Sequence, residues 1–139
     1  MSKTFLYRLF GIGKIPQKEF TNLKNEGILL QEEGISGTVI LTNFRAPGKY
    51  FSKKLSWFSG SIVLTHQHIL AFRFSKIMIG LSWNEPLLKQ LNCYIDDKSR
   101  FCITYDASVF DDKCSGNIEL RYSSDQSDKL LKIITEKLA

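Results

Sequence analysis

The segment from Phe44 to Phe58 concentrates positive charge and aromatic rings. It contains four basic residues, no acidic residue and five aromatic residues. The basic residues are Arg45, Lys49, Lys53 and Lys54, and the aromatic residues are Phe44, Tyr50, Phe51, Trp57 and Phe58. Cationic side chains form charge-assisted hydrogen bonds with phosphate oxygens, and exposed aromatic rings enter interfaces. These residue types therefore indicate a site for an anionic ligand.

Ala46-Pro47-Gly48 divides this segment with residues that are typical of a tight turn. The segment is thus predicted to fold into a hairpin whose basic residues flank the tip from both arms. Two interpretations stay open. Either the basic residues and an exposed Trp57 bind anionic lipid, phosphate or a protein partner, or the hairpin is solvated and its aromatic rings point into the core.

The two histidines, His66 and His68, are separated by one residue. On one extended strand they would share a face and could bind one metal ion, but a zinc site needs two further ligands close by. They stand between two strongly apolar segments, where a polar hairpin turn is expected. The sequence therefore predicts a turn here, with no metal and no cofactor.

Groups that support catalysis are sparse in this sequence. No serine or cysteine stands with a histidine and an acid in a nucleophilic arrangement. The adjacent acid pairs Asp96-Asp97 and Asp111-Asp112 suit turns, because neighbouring side chains on an extended chain point in opposite directions. Gly11-Ile12-Gly13-Lys14 has some character of a phosphate loop, but Pro16 stands where the helix should begin, which favours a hinge. A non-enzymatic protein is predicted.

The three cysteines, Cys93, Cys102 and Cys114, form no CxxC pair, which is typical of free thiols in a reducing cytosol. Cys93 and Cys102 lie on either side of a predicted turn at Asp97. An odd-numbered loop there places Cys93 on the same side as the apolar Phe101, whereas an even-numbered loop pairs the two cysteines. Because the hydrophobic pattern sets register, we expect the odd loop, Cys93 in the core, Cys102 outside and no disulfide.

Length and composition indicate one soluble domain. The chain has 139 residues and a mass of 16.0 kDa. Its 43% hydrophobic and 24% charged residues exclude disordered, collagen-like and coiled-coil classes. No apolar run approaches the ~18 residues of a membrane-spanning helix. We therefore expect a cytoplasmic protein that is soluble or peripheral at a membrane.

The net charge of +5 is unevenly distributed along the chain. Residues 1–80 contain 11 basic and 4 acidic side chains, whereas residues 81–139 contain 8 and 10. Such asymmetry predicts a basic face that attracts an anionic lipid surface or an acidic protein partner. The total is modest beside that of dedicated nucleic-acid-binding domains, so no nucleic acid partner is expected.

Between residues 28 and 123 the chain is rich in β-branched and aromatic residues that alternate with polar ones. This pattern predicts antiparallel strands with one dry and one wet face. On the third strand, for example, the side chains expected to share one face are Leu70, Phe72 and Phe74, and those expected on the other are Ala71, Arg73 and Ser75. Seven strands are predicted, at 34–44 after an extended approach over 28–33, 53–65 with a bend at Gly60, 68–75, 77–83, 87–95, 100–106 and 116–123.

Both ends of the chain have helical patterns. Over 125–138, Ser124 or Asp125 caps a helix, and its apolar stripe should close the open end of a barrel. That stripe consists of Leu130, Leu131, Ile134 and Leu138. Residues 1–27 are predicted to form a separate helical arm, with apolar residues on one face of 1–10 and a second helix over 16–26. We expect this arm to dock on the domain itself, the alternative being an interfacial membrane anchor.

Seven antiparallel strands followed by one amphipathic helix is a chain order that resembles the pleckstrin-homology-like barrel over residues 28–139. Phe44-Arg45-Ala46-Pro47-Gly48-Lys49, followed by Trp57-Phe58-Ser59-Gly60-Ser61-Ile62-Val63-Leu64-Thr65, is similar to an uncharacterised group of bacterial domains related to that superfamily. The stretch from Gly60 to Leu70 is also similar to lipid-associated domains of the GRAM type.

The resemblance implies a mainly β domain: a seven-stranded antiparallel barrel or sandwich capped by a C-terminal helix. It also implies a non-enzymatic module that binds an anionic phospholipid surface or a protein partner through the basic and aromatic hairpin. Two alternatives stay open, a small-molecule carrier with a ligand inside the barrel and a domain for protein–protein interaction alone. The oligomeric state, the physiological ligand and the role of the arm are left open by the sequence.

Overall fold

The computed structural model describes Asn25 and residues 27–138. Apart from Asn25 and Gly27, the predicted helical arm lies outside the described residues. The described chain is mainly β and confirms the prediction of seven antiparallel strands followed by a C-terminal helix. The strands are β1 (Ile28–Ala46), β2 (Lys49–Thr65), β3 (His68–Arg73), β4 (Lys76–Ser82), β5 (Asn92–Ile95), β6 (Phe101–Asp106) and β7 (Ser115–Tyr122), and the helix is α1 (Ser127–Leu138).

All seven strands belong to one sheet in the order β4-β3-β2-β1-β7-β6-β5, curled into a half-barrel. β1 and β2 are the longest strands and pair along their length, so the sheet continues into a long hairpin. Gly60 lies in β2, where the bend was expected, and a Cβ at this position would lie 2.3 Å from the carbonyl oxygen of Phe72. Only glycine therefore permits this close approach of β2 and β3.

The concave inner face of the sheet contains the core. Alternate residues of β6 and β7 point into it, as the period-two pattern predicted. Leu130 and Ile134 of α1 close over the same core, whereas Leu138 at the helix end is 43% exposed. The large inner side chains with essentially no exposure include Phe58, Phe101, Tyr122, Ile103, Leu120, Ile62 and Ile79. The interior is therefore filled by its own side chains.

β3 is buried on both faces, which differs from the expected dry and wet alternation. Ala71 belongs to the inner core, while Leu70 and Phe72 form a second cluster on the opposite face with Val63 of β2. Leu70 and Phe72 share a face as expected, but the expectation is wrong for Phe74, which follows the end of β3 at φ +56° and packs against the inner core. The period of two gives the direction of each side chain, but it does not tell whether another layer covers that side.

The predicted fifth strand is too long. Pro86–Gln90 forms a short 3-10 helix, and β5 includes only Asn92–Ile95. Pro86 stands in the first turn of this helix, where its fixed φ is favourable and its missing N–H is not needed. Local turn chemistry thus overrides the strand propensity of Leu87 and Leu88.

The β5–β6 register confirms the odd loop: Cys93 stands opposite Ile103, and Tyr94 opposite Cys102. Cys93 packs against the core, and all three cysteines are free thiols. Cys102 lies on the outer face, outside the core cluster, as expected, but its side chain is fully buried there. Burial raises the pKa of both Cys93 and Cys102 to about 11.

A polar network lies on the outer face around Cys102. Tyr94 and Arg121 are its cross-strand neighbours, and both bind Glu119: Tyr94 Oη donates to Glu119 Oε1 at 2.6 Å, and Arg121 Nε pairs with the other carboxylate oxygen. The hydrogen bond to Glu119, with burial, raises the pKa of Tyr94 well above its ordinary value. These long side chains explain how a thiol on the outer face is shielded from water.

Candidate anion-binding site

The β1–β2 hairpin forms as the turn residues predicted. Ala46 pairs with Lys49 across the two-residue turn Pro47-Gly48. Proline is common at the first central position of a type II turn, and Gly48 at φ +75° supplies the positive φ that the second position requires. The four basic residues, Arg45, Lys49, Lys53 and Lys54, are all exposed on the two arms.

The hairpin aromatic residues divide between core and solvent. Phe58 is fully buried in the core, and Phe44 and Phe51 are half-buried and stack on each other with ring centroids 6.3 Å apart. Tyr50 is 52% exposed and Trp57 is 47% exposed, and Leu55 between them is 60% exposed. The hairpin therefore directs Phe58 into the core and presents Tyr50 and Trp57 to solvent.

Two of the hairpin cations lie against aromatic rings. The guanidinium carbon of Arg45 is 4.8 Å from the centroid of Tyr50, and Nζ of Lys54 is 4.6 Å from that of Phe51. Such contacts orient a cation without neutralising its charge. Among the described residues, no carboxylate forms a salt bridge with any of the four hairpin cations. Their charges are therefore available to an external anion.

Trp57 is anchored even though nearly half of it is exposed. Its Nε1 donates a hydrogen bond to Ser36 Oγ at 2.9 Å, and its ring makes an edge-on contact with Phe74 at 6.5 Å. Trp57 stands four residues from Lys53 along β2, a distance of roughly 13 Å. The predicted site residues consequently form an extended strip along the hairpin and do not converge on one point.

A cavity of about 210 Å³ opens beside this strip, where the hairpin leaves the half-barrel. We call it the mouth cavity. Its walls come from five strands: Val39, Leu41 and Phe44 of β1, Lys54 and Ser56 of β2, Arg73 of β3, Met78 of β4 and Ile118 of β7. Lys54 and Arg73 supply its charges, and both are positive. An apolar cavity with two cations at its wall favours an anionic group.

Arg73 is a residue that the sequence interpretation did not select. Its Nε is buried and has no hydrogen-bond partner among the residues that the structure describes. An unpaired buried N–H is unfavourable, so an acceptor at this position would stabilise it. A signal was present in the sequence, because Arg73 is the only residue with a formal charge between Lys54 and Lys76. A single charged residue at the end of an otherwise apolar strand is therefore a candidate binding residue.

The β3–β4 turn connects Arg73 to the hairpin. Phe74 has φ +56°, a left-handed conformation that is unfavourable for an aromatic residue. Its N–H donates to the carbonyl of Ser59 at 2.9 Å, and its ring packs edge-on against Phe58 and Trp57. These contacts stabilise the unusual backbone and position Arg73 beside the mouth cavity.

The remaining predicted sites have structural roles. His66 lies in the polar turn between β2 and β3, where Thr65 Oγ1 accepts the backbone N–H of His68 at 2.8 Å. Within residues 27–138, no group of three or more metal-ligating side chains comes together. Asp96 accepts the N–H and the Nε of Arg100, and Asp111 accepts the N–H of Lys113, as expected of turn residues.

Two larger clefts, each about 410 Å³, flank helix α1. One lies between β5 and the helix and is lined by Leu91, Cys93, Leu131 and Leu138, among others; the other includes Leu29, His66 and Ile133. Both lie beside the helix and not among the large core side chains. In the described part of the chain, no helix has the length and apolar composition needed to cross a membrane.

Comparison with known proteins adds no identification. No protein-family model, no curated protein and no solved structure matches this chain.

Proposed function

We propose that this chain is a non-enzymatic binding module that attaches to anionic membrane surfaces through its β1–β2 hairpin. The observation that carries the proposal is the strip of four exposed cations, which have no carboxylate partner among the described residues and are interleaved with exposed Tyr50, Leu55 and Trp57. The lipid surface supplies what this strip lacks, negative charge for the cations and an apolar boundary for the large side chains.

The charges and the apolar side chains act together in this proposal. Each basic residue near an anionic leaflet contributes about 1 kcal/mol, an attraction that extends over roughly one Debye length. Tyr and Trp place an apolar ring and a polar end at the boundary between headgroups and water. Since Trp57 is already anchored by Ser36, its contact with the lipid orders few additional torsions.

In this proposal the strip contacts the membrane surface, and the mouth cavity in addition binds a single lipid headgroup. Lys54 is shared between the cavity and the strip, and Arg73 offers a buried N–H that needs an acceptor. A phosphate oxygen is such an acceptor and forms strong hydrogen bonds with a guanidinium group. The cavity therefore favours a lipid phosphate over a purely diffuse attraction to the membrane.

The resemblance to pleckstrin-homology-like domains supports the same function. The order of seven antiparallel strands followed by a helix that closes over the core agrees with what the resemblance implies. Under this proposal the protein belongs to the cytoplasm and associates peripherally with the membrane. Membership of that superfamily is part of the proposal.

The test is co-sedimentation with lipid vesicles at low ionic strength. We expect the protein to bind vesicles that contain phosphatidylserine and to ignore pure phosphatidylcholine. The triple variant Lys49→Glu, Lys53→Glu, Lys54→Glu should bind at least about 100-fold more weakly, because three contributions of about 1 kcal/mol are lost. The matched control is Lys89→Glu, Lys129→Glu, Lys132→Glu, which makes the same charge change at exposed positions elsewhere.

The control variant should retain binding within a few-fold. Equal losses in both triple variants would mean that only net charge matters and that the hairpin is not the site. If the unchanged protein ignores anionic vesicles at low salt, the proposal is wrong and the alternative of a protein partner becomes the next hypothesis to test.

A further inference from the structure

The mouth cavity offers few groups that can form a hydrogen bond with a ligand. Of the eight described residues that line it, three have polar side chains, namely Lys54, Ser56 and Arg73. Val39 and Leu41 stand between β2 and β7, so their backbone groups belong to the sheet. The polar contacts that these eight residues offer to a ligand thus come from two cations and one hydroxyl group.

The register of the sheet places a cation next to an apolar wall. Leu41 of β1 stands opposite Lys54 of β2 on one side and opposite Ile118 of β7 on the other. Cross-strand partners share a face of the sheet, so the three side chains lie on the same side. Arg73 lines the same cavity from β3, and Met78 lines it from β4. An anion bound by the two cations therefore has an apolar surface beside it.

Arg73 determines which kind of anion the cavity favours. Its Nε is buried and has no hydrogen-bond partner in the described part of the chain. One phosphate oxygen can accept from Nε while a second accepts from a terminal nitrogen of the same guanidinium group, a paired geometry that binds strongly. A phosphate monoester has a charge of about −1.5 to −2 at neutral pH. It therefore matches Arg73 and Lys54 together better than a phosphate diester, which has a single negative charge.

The apolar walls disfavour headgroups with further polar groups. The hydroxyls of inositol or glycerol would lie against side chains such as Met78 and Ile118, which offer no hydrogen bond. The ammonium group of serine or choline would lie beside Lys54 and Arg73, and no carboxylate of the described residues lines the cavity.

The size of the cavity is sufficient for more than a phosphate group. Its volume is about 210 Å³. An apolar cavity of about 150 Å³ holds a benzene molecule. The mouth cavity therefore has room for a phosphate and for the first carbon atoms that are attached to it.

We propose that the mouth cavity binds a phosphate monoester joined to an apolar group, with Arg73 and Lys54 on the phosphate and the apolar walls around the adjoining carbon atoms. In a membrane this chemistry is that of phosphatidic acid, and in solution it is that of an alkyl phosphate. The assignment rests on the proposed function, because it names the class of headgroup for the same cavity. The exposed strip attracts any anionic surface, whereas the cavity distinguishes one headgroup from another.

The first test uses soluble probes and no membrane. Hexyl phosphate, hexyl methyl phosphate and inorganic phosphate are titrated into the full chain with labelled methionine and isoleucine methyl groups. We expect hexyl phosphate to shift the methyl resonances of Met78 and Ile118 and to bind at least about ten-fold more tightly than either other probe. Equal affinity for either of the other probes, or no shift at Met78 and Ile118, overturns the proposal.

The second test compares vesicles that contain phosphatidic acid with vesicles that contain phosphatidylserine, matched in surface potential. We expect at least about ten-fold tighter binding to phosphatidic acid. Arg73→Lys keeps the charge but removes Nε and the planar group, so it should reduce this preference to less than about two-fold and leave binding to phosphatidylserine unchanged. The matched control Arg100→Lys makes the same exchange at a residue that binds Asp96, and it should retain the preference.

The two tests distinguish a failure of this proposal from a failure of the proposed function. A lack of binding to every anionic vesicle contradicts the proposed function, whatever the soluble probes show. Equal binding to the two matched vesicles contradicts the cavity proposal alone when hexyl phosphate also fails to bind. When hexyl phosphate binds and the matched vesicles bind equally, the ligand is a soluble phosphate ester and the cavity proposal stands. A preference for phosphatidic acid that Arg73→Lys retains contradicts the cavity proposal, because its source then lies elsewhere.

Discussion

At the scale of a single residue, Arg73 has a stability cost that the proposed binding role would explain. Arg73 lines the mouth cavity, and its Nε is buried with no hydrogen-bond partner in the described part of the chain. A residue selected only for stability would be apolar here, because unpaired buried donors are unfavourable. The arginine is explained if an anion binds at the mouth cavity.

Replacing Arg73 with methionine should therefore have opposite effects on stability and binding. Arg73→Met keeps an unbranched apolar stem and removes the unpaired donor, so the Tm should rise by about 2–4 °C. Affinity for anionic vesicles should fall about five-fold through the loss of one cation. The control Lys89→Met removes an exposed charge and should change neither quantity. A lower Tm without weaker binding would show that Arg73 is structural.

Asp96 provides a pH-dependent contribution to stability. Burial alone would raise the pKa of Asp96, but hydrogen bonds from Arg100 and Lys98 outweigh it and hold the pKa below its ordinary value. A folded-state pKa below the unfolded value means that the stabilisation is fully present above the unfolded pKa of about 3.9 and is lost as the pH falls through the folded value.

Asp96→Asn should consequently destabilise the protein at neutral pH by about 1 kcal/mol or more. The difference in unfolding free energy between the variant and the unchanged protein should shrink as the pH falls below about 3.9. Urea unfolding at pH 7, pH 5 and pH 3 measures this difference. A difference that stays constant over this range would contradict the role assigned to the Asp96 carboxylate.

At the scale of the element, the β1–β2 hairpin depends on one backbone conformation. Gly48 has φ +75°, and no atom lies within 4 Å of a Cβ built at this position. A side chain would therefore meet backbone strain alone, without a steric clash. The turn also determines the register that places Arg45 opposite Tyr50.

Gly48→Ala should lower the unfolding free energy by about 1 kcal/mol. Gly48→Asn should lower it less, because asparagine tolerates the left-handed region better than alanine. Thermal unfolding of both variants measures the difference. Identical losses would mean that the cost does not arise from φ at this turn.

At the scale of the whole molecule, the charge asymmetry of the sequence becomes a spatial asymmetry. The hairpin carries Arg45, Lys49, Lys53 and Lys54 away from the rest of the sheet. By contrast, the acidic residue Asp96 is bound by Arg100 just before β6, and Glu119 is bound by Arg121 on β7. Under the proposed function, the long-range attraction to an anionic surface acts through these hairpin cations.

Vesicle binding should accordingly depend on ionic strength. Raising the salt concentration from about 0.05 M to 0.5 M shortens the Debye length to a few Å and should weaken binding at least ten-fold. Titrations across this range with the unchanged protein and with the hairpin triple variant measure the effect. A salt-independent affinity would indicate apolar insertion as the dominant contribution and contradict the role of the cations.

The sequence alone determined much of the fold, because strands, turns and helices depend largely on the pattern of neighbouring residues. Period-two alternation identified the strands, Ala46-Pro47-Gly48 identified the hairpin tip, and the apolar stripe of residues 130–138 identified the closing helix. It also selected the odd register around Cys93, since only that register puts apolar residues on one side. Pro86 was the local signal whose effect on the fifth strand was missed.

Only the tertiary structure decided what lies over each face and which distant residues meet. Lys54 and Arg73 are 19 residues apart in the sequence, and the curl of the sheet alone places them at one cavity. Phe72 and Cys102 face away from the core and are nevertheless buried. Alternation gives the direction of a side chain, whereas its exposure depends on the neighbours that long-range packing brings there.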